Sequence, residues 1–152
     1  MSSAAQAVEL FRQGCCCSQA VLAAYAKSLG MDEGNALKVA TGFCAGIGGT
    51  ADTCGAVTGA IMVIGLKHAS PIRGDRRQRP QTLAAVREFL REFKARNGSI
   101  ICRDLLQYDI STPEGDTSAR ELGLFKTICP KIVESAGQIL DTMLTQPAKA
   151  AT

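Results

Sequence analysis

Seven cysteines, at positions 15, 16, 17, 44, 54, 102 and 129, are the side chains of this sequence best suited to chemistry, beside a single histidine, His68. As thiolates they are nucleophiles and ligands for soft metals. One histidine rules out multi-histidine metal sites and gives any Cys-His pair one possible base. No two cysteines have the C-x-x-C spacing of the common oxidoreductases. The separations between Cys17, Cys54, Cys102 and Cys129, 37, 48 and 27 positions, are too wide for a local zinc knuckle, so only the fold would bring them together. An odd number of thiols leaves at least one unpaired within a chain. The N-terminal stretch lacks the basic start and uninterrupted apolar run of an export signal. A cytoplasmic, reducing location is therefore expected, where cysteines serve as ligands or reactive thiols more than as structural disulfides.

The elements that must position these thiols read as helices. Apolar residues recur at helical spacing around Val8, Leu10 and Phe11, around Val21, Ala24 and Tyr25, and around Leu37, Val39 and Ala40. Gly14, Gly30 and Gly42 punctuate them as helix stops, giving three short helices before residue 43. A Gly-rich stretch from Gly42 to Gly49 leads through Asp52, a good cap, into an apolar helix from about Thr53 to His68, expected to lie deepest. Ser70 to Pro80 reads as a solvated connection, and Gln81 to Arg96 as an amphipathic helix closed by Asn97-Gly98. Ser99 caps a short helix through Leu106, Ser111 to Ser118 is a loop, and Ala119 to Phe125 is a further short helix. Pro130, suited to the first turn, opens a last helix to Leu144. No period-two alternation appears. The expectation is an all-α, compact bundle of six or seven short helices over residues 1–146, with a flexible tail at 147–152.

On this reading four thiols fall at four helix starts: Cys17 before Ser18-Gln19, Cys54 after the Asp52 cap, Cys102 after the Ser99 cap, and Cys129 as the cap before Pro130. Unpaired N–H groups and the helix dipole favour an anion there, by roughly 0.3–1 kcal/mol at exposed sites. Lowered thiol pKa values are the expected result. Four such ends together would suit an iron–sulfur cluster, with backbone N–H groups left to bond sulfur and the Gly-rich run and Gly55 allowing close approach. Zinc, or no metal at all with thiol–disulfide exchange, are the alternatives.

The segments GCCCSQAVL, CGAVTGAIMVIGL, CRDLL and the Cys129 region resemble the C-GCAxxG-C-C family of redox-active proteins, over about residues 8 to 140. The resemblance implies that Cys17, Cys54, Cys102 and Cys129 are the redox or metal-binding residues, with Gly55, Ala56 and Gly59 completing the central motif. Three cysteines lie outside that pattern. Cys44 is a candidate fifth ligand, a resolving thiol or a plain loop thiol, and Cys15 and Cys16 are auxiliary at most.

The remaining features name no other chemistry. A formal charge of +3, from 17 Lys and Arg against 14 Asp and Glu, is too mild for a nucleic-acid footprint. The apolar uncharged run Thr53 to Leu66 falls short of the roughly 20 residues of a membrane span. GIGGTADTCG lacks the lysine of a phosphate-binding loop and reads as a flexible turn. His68 reads as a cation at a helix C-terminus, and the phenylalanines as core. A redox partner protein is expected, and small-residue faces such as GAVTGAIM leave a homodimer open.

Overall fold

Side-chain caps and left-handed residues set where the helices begin and end. In the computed structural model, which describes residues 1–147, α1 (Ser3–Arg12) starts where the Ser2 hydroxyl accepts the Ala5 N–H at 3.1 Å. Next, α2 (Cys17–Ala26) is tied at its start by the Gln19 carboxamide oxygen, which accepts the Cys16 N–H at 3.0 Å. A 3₁₀ turn at Lys27–Leu29 follows it and ends at Gly30 with φ +80°. Asp32 then caps α3 (Glu33–Thr41) by accepting the Asn35 N–H. The rest of the chain forms α4 (Gly55–His68), α5 (Arg79–Asn97), α6 (Cys102–Leu106), α7 (Pro113–Glu121), α8 (Leu124–Thr127) and α9 (Cys129–Thr145). The architecture is all-α, with seven helices of seven residues or more and no strand among the described residues. One isolated antiparallel bridge pairs Thr53 with Ile101.

Several expected boundaries move for identifiable reasons. The stretch read as a loop from Ser111 to Ser118 is largely α7: Thr112 accepts the Gly115 N–H at 3.0 Å and Pro113 fills the first helical position. The single helix expected over Ala119 to Phe125 is split at Gly123, φ +69°, between α7 and α8. Gly42 closes α3 with φ −65°, in the right-handed region, so its use does not depend on being glycine. Asp52 does not cap α4, which starts two residues later than expected with Cys54 at the cap. Pro147 is exposed, and the rest of the expected tail, 148–152, lies outside the described residues.

The main core joins α1, α2, α4, α5 and α9, centred on Leu22, Val57, Ile64, Phe89, Phe93 and Leu140. Contrary to expectation, α2 is the most deeply buried helix: it buries eight of its ten residues, whereas α4 buries eight of fourteen and its last turn is half-exposed. Small residues explain the depth. A Cβ at Gly59 would stand 2.8 Å from the Ser18 carbonyl oxygen, so α2 and α4 meet backbone to backbone. The Tyr25 hydroxyl donates to Asp141 at 2.7 Å and approaches the Gly137 carbonyl at 2.9 Å, while Asp141 also accepts the Ala4 N–H at 3.3 Å. That network locks α1, α2 and α9 together. No helix among the described residues is long and apolar enough to cross a membrane.

Candidate thiol site

The four motif cysteines arrive by four separate routes. Cys17, Cys102 and Cys129 are the first residues of α2, α6 and α9, and Cys54 is the cap of α4. Two backbone bonds flanking the Thr53–Ile101 bridge set Cys54 beside Cys102: the Cys54 N–H donates to Ile100 at 2.8 Å, and the Cys102 N–H to Asp52 at 2.6 Å. Ser99 does not cap α6 as expected; its hydroxyl accepts the Ile101 N–H and donates to Asp104. Cys17 approaches through the α2–α4 crossing, where a Cβ on Gly55 would lie 2.9 Å from the Ser18 nitrogen and 3.1 Å from the Cys17 Cβ. Cys129 closes the group beside Cys17, the thiol that most affects its protonation.

All seven cysteines line one cavity of about 540 Å³. Its apolar wall includes Phe11, Leu106, Ile110 and Phe125, so two phenylalanines assigned to the core serve here as walls. At the edge Arg120 pairs with Asp116 at 2.9 Å and lies over the Phe125 ring at 5.2 Å from its centre. His68 belongs elsewhere, in a groove with Arg87 and Arg91 that carries no cysteine. Burial and the neighbouring Lys67 lower its pKa, against the helix-end cation expected of it.

The electrostatics reverse the expected trend at three of the four thiols. Burial pushes Cys54 up to about 11, although the Ala56 and Val57 N–H groups act in the opposite direction. Burial, with the nearby Cys54 and Cys129, pushes Cys102 up to about 12. Cys17 rises well above the ordinary range because it donates its proton toward Cys129, is buried, and faces the other three sulfurs. Only Cys129 is lowered, and by the same hydrogen bond from Cys17, against the effect of burial. Desolvation and mutual repulsion outweigh helix ends that are worth only roughly 0.3–1 kcal/mol. The free site therefore stores protons on sulfur, and a cation would displace them. As they stand, no three Cys, His, Asp or Glu side chains among the described residues are arranged to hold a metal ion.

Cys44 is not a fifth ligand here, because it forms a disulfide with Cys16, with Cα atoms 5.6 Å apart and 28 positions between them. The expectation that structural disulfides are absent is thereby corrected. Cys15, Cys17, Cys54, Cys102 and Cys129 remain as thiols. The bond anchors the Gly-rich segment, in which residues 45 to 49 all have positive φ and Ala51 does as well. Ala45, Ile47 and Ala51 each carry the left-handed penalty of about 1–2 kcal/mol, so this turn is held in shape by its anchors. One anchor is Gly46, where a Cβ would stand 2.9 Å from the Cys102 Cβ and 2.8 Å from the Asp52 nitrogen. The close approach at Gly46 falls in the Gly-rich run where one was expected, while sequence reasoning missed the disulfide. A cysteine at the head of a glycine-rich run was the one visible sign, and it does not specify the partner.

Residues 15–143 match the family described as "Putative redox-active protein (C_GCAxxG_C_C)". The chain belongs to this family. Where the family's label writes Gly-Cys-Ala, the sequence here reads Cys54-Gly55-Ala56, followed by Val57, Thr58 and Gly59. No curated protein and no solved structure matches the chain. The family description supports cysteine-based redox activity and assigns no metal, substrate or partner.

Proposed function

We propose that Cys17, Cys54, Cys102 and Cys129 hold an iron–sulfur cluster through which the protein passes electrons to a redox partner protein. The observation that carries this reading is the convergence of these four thiols, each from the start of a different helix, on a single cavity. Their all-sulfur donor set suits iron, and the Ala56 and Val57 N–H groups act on Cys54 in the direction that favours its thiolate. A bound cluster would supply one-electron chemistry. The chain's own contribution is to gather four thiols remote in sequence, give up their protons on loading, and surround them with the apolar wall of Phe11, Leu106, Ile110 and Phe125. The test is anaerobic isolation of the full chain, with a visible spectrum and iron and sulfide analysis. Brown protein that loses its iron on Cys54→Ser or Cys102→Ser supports the reading. Iron and sulfide near zero, with all four thiols open to alkylation, overturn it, and colourless protein carrying stoichiometric zinc replaces it with a structural metal site.

A second reading, metal-free thiol–disulfide exchange, draws on the placement of Cys17 and Cys129 in one cavity, with Cys17 lowering the Cys129 pKa. Cys129, the one thiol with a lowered pKa, attacks a substrate disulfide; Cys17 then displaces the mixed disulfide, leaving a Cys17–Cys129 bond and a reduced dithiol. Two electrons and two protons move to the substrate. Peptide mass mapping after oxidation finds that bond if the reading holds and four free thiols if it fails.

A further inference from the structure

The cavity contains one sulfur pair that the four-thiol site does not use. Cys16 and Cys44 are both half-buried and line the cavity wall, so their bond faces the same space as the motif thiols. Each end of this bond is mechanically connected to that site. Cys16 is the cap of α2 and is followed directly by Cys17; Cys44 opens the turn that places Gly46 against Cys102. Around the bond, the Ser18 hydroxyl lies 3.3 Å from the Cys16 sulfur and donates to the Ala40 carbonyl at 2.9 Å, which ties the end of α3 to the same point. Within the turn Ile47, Gly49, Thr50, Ala51 and Asp52 donate their N–H groups to Phe43, Cys44, Ile47, Ala45 and Gly46, so apart from the disulfide it is tied mainly to itself, and most of its residues are exposed.

We infer that Cys16–Cys44 is a second, two-electron redox centre, reduced by dithiols, whose state sets access to Cys17 and Cys102. One thiolate of a dithiol reductant attacks either sulfur, a mixed disulfide forms as the Cys16–Cys44 bond breaks, and the departing sulfur takes a proton. The reductant's second thiolate then displaces the remaining cysteine, so that two electrons and two protons reach the protein and the reductant leaves as a disulfide. Once opened, the left-handed turn loses the link that fixes one of its ends, and Gly46 is free to move off Cys102. The couple itself is independent of any metal; the part concerning access rests on the thiol site proposed above.

The test uses the full chain, isolated without reductant and titrated with dithiothreitol in oxidised and reduced mixtures. Differential alkylation with peptide mass mapping is expected to find one Cys16–Cys44 bond that opens in a single two-electron step. Native iodoacetamide labelling of Cys17 and Cys102 is then expected to quicken about tenfold in the opened wild-type protein, as for a local opening that becomes easier. Cys44→Ser should reproduce that rate without reductant, and the wild-type titration stands even if this variant folds poorly. Cys16 and Cys44 alkylatable at the oxidising end of the titration overturn the couple, and labelling rates that ignore its state overturn the control of access. Iron content, measured separately in the same samples, reports on the cluster reading alone.

Discussion

The two ends of the molecule solve opposite problems. At one end α5 and α9 pack Phe89, Phe93, Ile139 and Leu140 into a continuous apolar core, with the two phenylalanine rings stacked 5.8 Å apart. At the other, a small cluster of Cys102, Leu106 and Cys129 surrounds a cavity, and the backbone near it includes a left-handed turn and an isolated bridge. The first end gains stability from area removed from water. The second keeps a cavity open and holds thiols close enough to raise one another's pKa, which is costly in a protein with no other reason to do it. The difference teaches that here the regular core is the support and the irregular end holds the candidate working part.

The largest expected effect comes from breaking the support. Phe89→Ala should cost about 3–5 kcal/mol in denaturant unfolding. Because Phe89 lies outside the thiol cluster, native alkylation rates at Cys54 and Cys102 should hold in conditions where the variant stays folded. If those rates rise with the loss of stability, the two ends are not separable. Next come the glycines of the α2–α4 crossing. Gly55→Ala and Gly59→Ala should each cost about 1–3 kcal/mol by overpacking against the Ser18 backbone. Only the Gly55 methyl meets Cys17, so iron retention should fall further in Gly55→Ala; equal retention would mean that the crossing does not gauge the site.

A third effect separates the ends by pH. Cys54 has its folded pKa raised by burial, from the ordinary 9.0 to about 11, so the folded form keeps a proton that the unfolded chain releases. Its stabilisation is full below pH 9 and is lost as pH climbs through the window up to about 11. Thermal melts of reduced, metal-free protein should fall across that window, and Cys54→Ala should flatten the slope. The smallest effect is Tyr25→Phe, which removes the hydroxyl bonded to Asp141 and should cost about 1–2 kcal/mol by unfolding, with no change at the thiols.

The sequence made the support easy to read and the working part only partly so. Periodicity located α5, and Asn97-Gly98 marked its end, where Gly98 has φ +88° and donates to Lys94. The four motif thiols could be chosen because each stood near a recognisable helix start. Their protonation could not, since it depends on burial and on sulfurs that are distant in sequence, and the helix-end argument alone gave the wrong direction for Cys17, Cys54 and Cys102. The Cys16–Cys44 pairing was equally hidden, because the turn that delivers Cys44 adopts backbone angles that Ala45 and Ile47 take up only under tertiary restraint. α7 escaped notice because its polar sequence carries Gly115 in the first turn, where a Thr112 cap and Pro113 outweigh the glycine.

At the crossing of α2 and α4 the spacer between Cys17 and Cys54 is peptide backbone, not side chain. Ordinary exchanges of one aliphatic residue for another in the interior would leave that gap almost unaltered, while a single added carbon at position 55 would widen it. The protein thus carries a built-in calliper for two of its thiols, set by the absence of an atom.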